Sequence, residues 1–265
     1  MIVGIVGRTE DEEGNLCSMG TGKDTVADLL VTNHEFAKVA LADPMKRFVQ
    51  TLYGFTYLQL WGPTMHRNEV DTRYPREHHV LTRDGRCACC GAHLQADNTW
   101  DEKQCYLTPR YALQMLGTEW GKFCFRDTWV KYLMLEIAPP LLKDAQYEGD
   151  YDKYRQVSYR PELGLVDRGL MDGAHGDRIR GLVVSDVRFE DEVRYLKSQG
   201  GKVLLVYRKV DELPKGPDLD HASEVGLNQY TPDDPIWDDV IYNFQGVDAL
   251  VTQTQMALNV LRGKV

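Results

Sequence analysis

Residues Gly20-Thr21-Gly22-Lys23-Asp24-Thr25 put two glycines, a lysine, a carboxylate and two hydroxyls into six positions. That set can hold a phosphate chain. Backbone N–H groups at a helix start face an anion, and a lysine adds a compact positive charge. An apolar run, Ile2-Val3-Gly4-Ile5-Val6-Gly7, precedes it, and a helix-patterned run, Val26-Ala27-Asp28-Leu29-Leu30, comes after it. The usual pattern G-x-x-x-x-G-K-[ST] is met in part. Cys17 stands at its first glycine, so Gly7 takes that role only if Arg8 to about Leu16 is an insertion. Asp24 stands where Ser or Thr normally holds Mg²⁺; it could reach the ion through water, with Thr25 on a phosphate. A nucleotide is the first ligand to consider, against the plainer reading of a glycine-rich βα turn with no ligand.

Two further groups carry charge suited to phosphate chemistry. Leu182-Val183-Val184-Ser185-Asp186 is an apolar strand ending in a carboxylate, with Arg188 two residues on and Glu192 one helical turn later. Such an aspartate faces the metal or the phosphates in phosphate-loop proteins; the competing reading is a helix cap. Phosphoryl transfer between two nucleotides also needs cations for the acceptor phosphate and a ring to clamp a base. Lys46, Arg67, Arg110 and Arg126 are candidates for the first task, and Trp61, Trp120 and Trp129 for the second. Spacing alone does not choose among them.

Cys87-x-x-Cys90-Gly91 has the spacing of half a zinc knuckle, with His93 and Cys105 as further candidate ligands. Cys89 competes, and His78-His79 lie just upstream. The alternative is a set of reduced cysteines in a loop.

The elements that must position these residues alternate in type. Strands are expected at Ile2–Val6, Ala37–Leu41, Leu182–Asp186, Lys202–Tyr207 and Val240–Tyr242. Helices are expected from Lys23, from an Asp43-Pro44 cap to about Tyr53 with Gly54 closing it, and from a Thr108-Pro109 start broken by Gly117 and Gly121. Others are expected over Trp129–Ile137, stopped by Pro139-Pro140, after Asp186 to Ser198, and at the C-terminal end. Residues from about Thr56 to Gln104 read as irregular, and 144–178 as a polar, lid-like stretch. The pattern predicts an α/β fold with a mostly parallel sheet.

The 265 residues, 43% of them apolar, suffice for one large or two small domains; the chain is read here as a single domain, 1–265, with an insert region at about 56–106. A net charge of −9 opposes stable nucleic-acid binding. No apolar run approaches a membrane span, and the start Ile2-Val3-Gly4 lacks a basic flank, so a cytoplasmic location is expected. Cysteines there are reduced or metal-bound rather than paired.

Several blocks, in order, resemble the bacteriophage-type deoxynucleoside monophosphate kinases. Gly22-Lys23-Asp24-Thr25-Val26-Ala27 resembles their GKDTVA loop and Ala42-Asp43-Pro44-Met45-Lys46 their ADPLK segment. Pro109-Arg110 through Leu116-Gly117-Thr118-Glu119-Trp120-Gly121 resembles their PR-x-x-LQ-x-LGTEWG block. Ser185-Asp186-Val187-Arg188-Phe189 with Glu192 resembles SDVRF-x-NE, and His221-Ala222-Ser223-Glu224 resembles HASE. The resemblance implies a three-layer phosphate-loop fold and the reaction ATP + dNMP → ADP + dNDP, with Mg²⁺, supplying DNA precursors. By position, Gly20, Gly22, Lys23, Asp24 and Thr25 would hold ATP phosphates and metal. Lys46, Arg110 and Arg67 would meet the acceptor phosphate; Trp129, Gly117 and Thr118 would line the base pocket; Asp186, Arg188 and Glu192 would form the acceptor-side cluster. Lys23, Arg110, Asp186 and Arg188 would be the catalytic set. The family's asparagine is Asp191 here. A homodimer, a modified-base dNMP and a phage-encoded protein in host cytoplasm are expectations of the resemblance alone. The acidic run Glu10-Asp11-Glu12-Glu13 departs from it and is expected to be a solvated loop whose deletion leaves turnover intact. Alternatives are a kinase of another small phosphorylated acceptor, or a nucleotide-responsive module whose knuckle contacts nucleic acid.

Overall fold

A computed structural model describes residues 1–142, 179–213 and 221–263. The stretch expected at 144–178, and Asp220 before the His221 block, lie outside the described residues. In chain order the strands are β1 (Ile2–Glu10), β2 (Leu16–Cys17), β3 (Phe36–Val39), β4 (Asp71–Arg76), β5 (Cys105–Leu107), β6 (Gly181–Val184), β7 (Lys202–Lys209) and β8 (Asp239–Tyr242). The helices are α1 (Lys23–His34), α2 (Asp43–Tyr53), α3 (Tyr57–Trp61), α4 (Thr64–Asn68), α5 (Pro109–Gln114), α6 (Thr128–Tyr132), α7 (Ala138–Leu141), α8 (Glu190–Ser198), α9 (Ala222–Val225) and α10 (Val247–Leu261). Two stretches of wide π-helical turns, Met115–Lys122 and Leu133–Ile137, extend α5 and join α6 to α7.

The described residues form two compact units. The first contains Met1–Leu41 and the described parts of Arg126–Pro214 and Ser223–Val265. Its sheet has the order β3-β6-β1-β7-β8, all parallel, with β2 antiparallel on the end of β1. The strands are nearly continuous apolar runs because both faces are covered. Ile2, Val6, Leu182, Val184, Val203 and Leu205 point to one face with Val130, Leu133, Val193 and Leu196. Val3, Ile5, Val183, Leu204 and Val206 point to the other, under Val26 and Leu30 of α1 and Leu250 and Leu258 of α10. The chain leaves β1 toward β3 and leaves β6 toward β7, so the sheet reverses winding between the neighbours β1 and β6. In open parallel sheets, ligands bind beyond the carboxyl ends of strands at such a reversal.

The edge β7–β8 is pinned by one carboxylate. Asp238 accepts the Val203 amide at 2.9 Å and pairs with Lys197 at 3.2 Å and Lys202 at 3.1 Å. Desolvation works against the Asp238 charge, but the Val203 amide and the two ammonium groups outweigh it and hold its carboxyl below the ordinary aspartate value. Its stabilisation is therefore complete above the ordinary aspartate range and fades as pH falls through the depressed value. Asp238→Asn is expected to cost about 1–2 kcal/mol at neutral pH. In urea melts the gap between the two proteins should shrink below about pH 4; a gap that widened there would refute the assignment.

The second unit comprises Ala42–Phe125 with His221 and Ala222. Three boundaries differ from the sequence expectation. Thr56–Gln104 is not uniformly irregular: Thr56 and Gln59 form a reciprocal capping box that starts α3, and α4 and β4 come next. Gly117 and Gly121 do not break the helix after α5, which passes through both as wide turns. Gly117 is there for close approach, since a Cβ on it would lie 2.8 Å from Met45 Sδ. In the first unit, Pro139 does not stop its helix either; turns continue to Leu141. The preceding π-helical stretch shifts the hydrogen-bond ladder, as helices do where a proline lacks its N–H. No helix among the described residues is long and apolar enough to cross a membrane.

Candidate functional site

The glycine loop sits where the sequence suggests, but the chain reaches it by an unexpected route. β1 does not end at Val6. It continues beside β7 to Glu10, turns through Asp11–Asn15 and returns as β2, with Thr9 opposite Cys17. The acidic run is thus a solvated turn from Asp11 to Glu13, but Glu10 belongs to the strand. Glu10 accepts the Tyr207 hydroxyl at 2.5 Å and lies 3.8 Å from Lys209, and of the four acidic residues only Glu12 and Glu13 are exposed. Deleting Glu10 to Glu13 would orphan Tyr207 and strip the end of the β1–β7 ladder, so that deletion is not a neutral one. Buried Arg8 anchors the base of the hairpin by donating to the carbonyls of Leu227 and Asn228 at 3.2 and 2.6 Å.

Gly7 faces the loop across this hairpin. A Cβ there would lie 2.5 Å from Thr21 Oγ1 and 3.0 Å from Lys23 Cδ. Gly20 and Gly22 are both left-handed, with φ of 70° and 89°, a conformation that costs other residues about 1 kcal/mol or more. Four side chains hold the loop from outside. Thr9 donates to the Met19 carbonyl at 2.6 Å, Arg208 to that of Gly20 at 2.9 Å and Asn243 to that of Thr21 at 2.9 Å. Ser18 donates to Glu224. Gly22 then starts α1 with no side-chain cap, so the first turn of a 12-residue helix opens toward the loop.

Burial pushes the Lys23 ammonium down from its ordinary pKa, and Arg188 adds to the shift, while Asp24, Glu224 and Asp186 oppose it. These residues lie in one electrostatic neighbourhood, beside Gly7 of β1 and just beyond the carboxyl end of β6. Asp186 accepts the Leu41 amide at 2.6 Å and does not cap α8, whose N-cap residue is Phe189. Glu192 does that work: its Oε2 receives the Arg188 and Phe189 amides at 2.9 and 3.1 Å. Arg188 reaches Glu224 Oε1 at 2.5 Å and the Ser223 carbonyl at 3.2 Å. Desolvation opposes the Arg188 charge, yet Glu224, Asp186 and Glu192 outweigh it and raise its pKa. Asp24 is exposed and pairs with Lys38 at 3.3 Å and Lys23 at 3.7 Å. Trp129 packs against the core of this first unit, and Arg126 lies 3.9 Å from Asp191.

The other expected residues belong to the second unit. Lys46 pairs with Asp43 at 3.3 Å and lies 5.6 Å from the Trp61 ring centre. Arg67 donates to Thr64 at 3.0 Å, and Arg110 to Asn68 at 2.6 Å. Helix α5 packs against both α2 and α4, so the three cations come from adjoining helices. His221 meets Glu119 at 3.2 Å, which joins the HASE-like and LGTEWG-like blocks. Trp120 is exposed.

The cysteine cluster forms within the second unit, with one change of membership. His79, Cys87, Cys90 and Cys105 bring one ligand atom each within 4.8 Å of one another and could hold a metal ion. His93 is not among them: its side chain is exposed and its backbone pairs with Arg86. Cys89 is also outside, donating to the Tyr106 carbonyl at 3.1 Å. Burial opposes a thiolate at Cys87, but the amides of Cys90, Val80 and Cys89 outweigh it and hold its pKa down at about 6. Burial pushes Cys89, Cys90 and Cys105 up.

No protein-family model matches the chain, and no curated protein matches it. Glu224, Asn243, Arg208 and Thr9 are the site residues that spacing did not single out. Glu224 sits in a block that the resemblance covers without giving it a role, and Asn243 directly succeeds the apolar end of β8.

Proposed function

We propose that the chain is a phosphate-loop kinase that moves the γ-phosphoryl group of ATP to a deoxynucleoside monophosphate. The observation that carries this reading is the gathering of Lys23, Asp186, Arg188 and Glu224 beside the left-handed Gly20–Gly22 turn, at the winding reversal of a parallel sheet. A triphosphate would give the part-buried Lys23 ammonium a stronger anionic partner than exposed Asp24 at 3.7 Å, and the first turn of α1, whose Lys23 amide donates to Thr21 Oγ1 at 3.1 Å, would face it with oriented N–H groups. Asp24 and Thr25 would hold the Mg²⁺, which would supply neutralisation of the phosphate charge. In the second unit, the reading assigns Lys46, Arg67 and Arg110 to the acceptor phosphate.

The step transfers one phosphoryl group to an acceptor phosphate oxygen, releasing ADP. That oxygen is already anionic near pH 7, so no general base is needed. The protein contributes alignment and charge neutralisation. The test is ADP release across a panel of normal and modified dNMPs: turnover with at least one, dependent on that acceptor, is expected.

A further inference from the structure

Four ligand atoms from His79, Cys87, Cys90 and Cys105 meet where little else holds the chain together. Between β4 and β5, residues 77–104 form only isolated bridges and tight turns: Leu81 with Cys87, Arg86 with His93, Leu94 with Trp100. Leu81 is exposed. The local core is built largely on Cys87, Cys89, Ala92 and Cys105, against Phe55 and Leu60. Such a segment buries little apolar surface, and a metal ion supplies the missing folding energy in comparable small modules.

We infer that His79, Cys87, Cys90 and Cys105 form a closed, tetrahedral structural zinc site. Two of the six ligand spacings match the edges of a zinc tetrahedron, and all six lie within 4.8 Å. With Zn–S near 2.3 Å and Zn–N near 2.05 Å, S···S edges are about 3.8 Å and N···S edges about 3.6 Å. Cys87 Sγ and Cys105 Sγ are 3.7 Å apart, and Cys90 Sγ is 3.5 Å from His79 Nδ1. Protein side chains supply all four ligands, so no position is left for a substrate or water, which marks a structural rather than a catalytic centre.

The surrounding backbone is shaped for the ion. Cys87-x-x-Cys90-Gly91 is a knuckle turn: the Gly91 amide donates to the Cys87 carbonyl at 2.8 Å, and Gly91 has φ of 78°. The Val80 amide points at Cys87 Sγ at 3.3 Å. The His79 ring stacks on Trp100 at 4.4 Å, which fixes its plane and aims Nδ1 at Cys90. The site also ties the knuckle to β5 and α5. Cys105 lies in β5 opposite Arg76, and the Thr108 hydroxyl, which caps α5, donates to the Cys89 carbonyl between the two knuckle ligands at 2.6 Å. Zinc thus fixes the start of the helix that carries Arg110, independently of whether the chain is a kinase.

The full chain, purified without added metal, should contain close to one zinc per chain; below about 0.2 the inference fails, because structural sites stay occupied. Chelated chain refilled with Co²⁺ should show the visible bands of a tetrahedral thiolate site, and an octahedral spectrum would overturn the assignment. His79→Ala should weaken zinc by at least about a hundredfold, whereas His93→Ala and Cys89→Ser should retain it. Loss of zinc in His93→Ala with retention in His79→Ala would replace this ligand set. Metal content and Co²⁺ spectrum are read on the unaltered sequence, so misfolding of a variant leaves the outcome decidable.

Discussion

Lys23→Ala should lower phosphoryl transfer by about 10²–10³-fold, or roughly 3–4 kcal/mol in the barrier, while leaving the fold intact. The loss stems from where the ammonium sits. It is the largely shielded cation of the glycine loop, its side chain 18% exposed, and burial already works against its charge. In the free protein that charge is held at a cost, offset chiefly by the exposed Asp24 at 3.7 Å; beside a triphosphate the same charge gains a stronger partner. Removing it therefore weakens the ligand complex and not the core, and the melting temperature of the free chain should move by no more than a few degrees. Lys23→Arg should not restore activity. The stem runs against Gly7, where even a Cβ would lie 3.0 Å from Lys23 Cδ, and a planar guanidinium does not reproduce a compact ammonium in that space. Steady-state kinetics and a thermal melt on the same preparations check both halves. Full activity in Lys23→Ala would refute the loop's role, and collapse of the fold would show that the lysine is structural.

Glu224→Gln should damage both stability and turnover. Glu224 is buried and accepts from two sides: Ser18, at the entrance of the glycine loop, and Arg188, after β6. Neutralising it leaves the Arg188 guanidinium with its nearest anion gone. Breaking a buried pair costs about 3–5 kcal/mol when the remaining charge is sealed from water. The Arg188 side chain keeps 33% of its surface exposed, which places the expected cost nearer 2 kcal/mol, or about 5 °C in melting temperature. Turnover should fall by about a hundredfold, because Ser18 and Arg188 lose their common anchor and small misplacements at a reacting centre are expensive. Ser18→Ala removes only one hydrogen bond and should cost about 1 kcal/mol. Unchanged melting and turnover in Glu224→Gln would remove this carboxylate from the account.

Much of the first unit was legible because its signals are local and repeated. The apolar runs that form β6, β7 and β8 are short and bounded, and the helix from Lys23 starts at the residue expected. The end of β1 was not legible. Arg8, Thr9 and Glu10 read as the start of a polar insertion, yet each is satisfied by a residue about 200 positions away or by the returning hairpin. A strand extended by its neighbour's length leaves no period-two apolar trace. In the second unit, Thr56-x-x-Gln59 is a capping-box signal, but the helix it starts is only five residues long and shows no apolar period. Gly117 looks like a helix breaker because a one-dimensional pattern cannot show Met45 packed against it. The zinc ligands were half visible. Cys87-x-x-Cys90 sets two by spacing, with Cys105 as a further candidate. His79 and His93 are equivalent in sequence, and only the fold of 77–104, with the ring of His79 stacked on Trp100, chooses between them.

The central claim is that a nucleoside monophosphate accepts phosphate from ATP on this chain. Following ³¹P signals of ATP, Mg²⁺ and a panel of dNMPs with the purified protein tests it most directly. The account predicts ADP and one dNDP formed in equal amounts, with one acceptor strongly preferred and product formed at least about a hundredfold more slowly by Lys23→Ala. ATP hydrolysis to free phosphate with every acceptor, or no ADP at all across the panel, would contradict it.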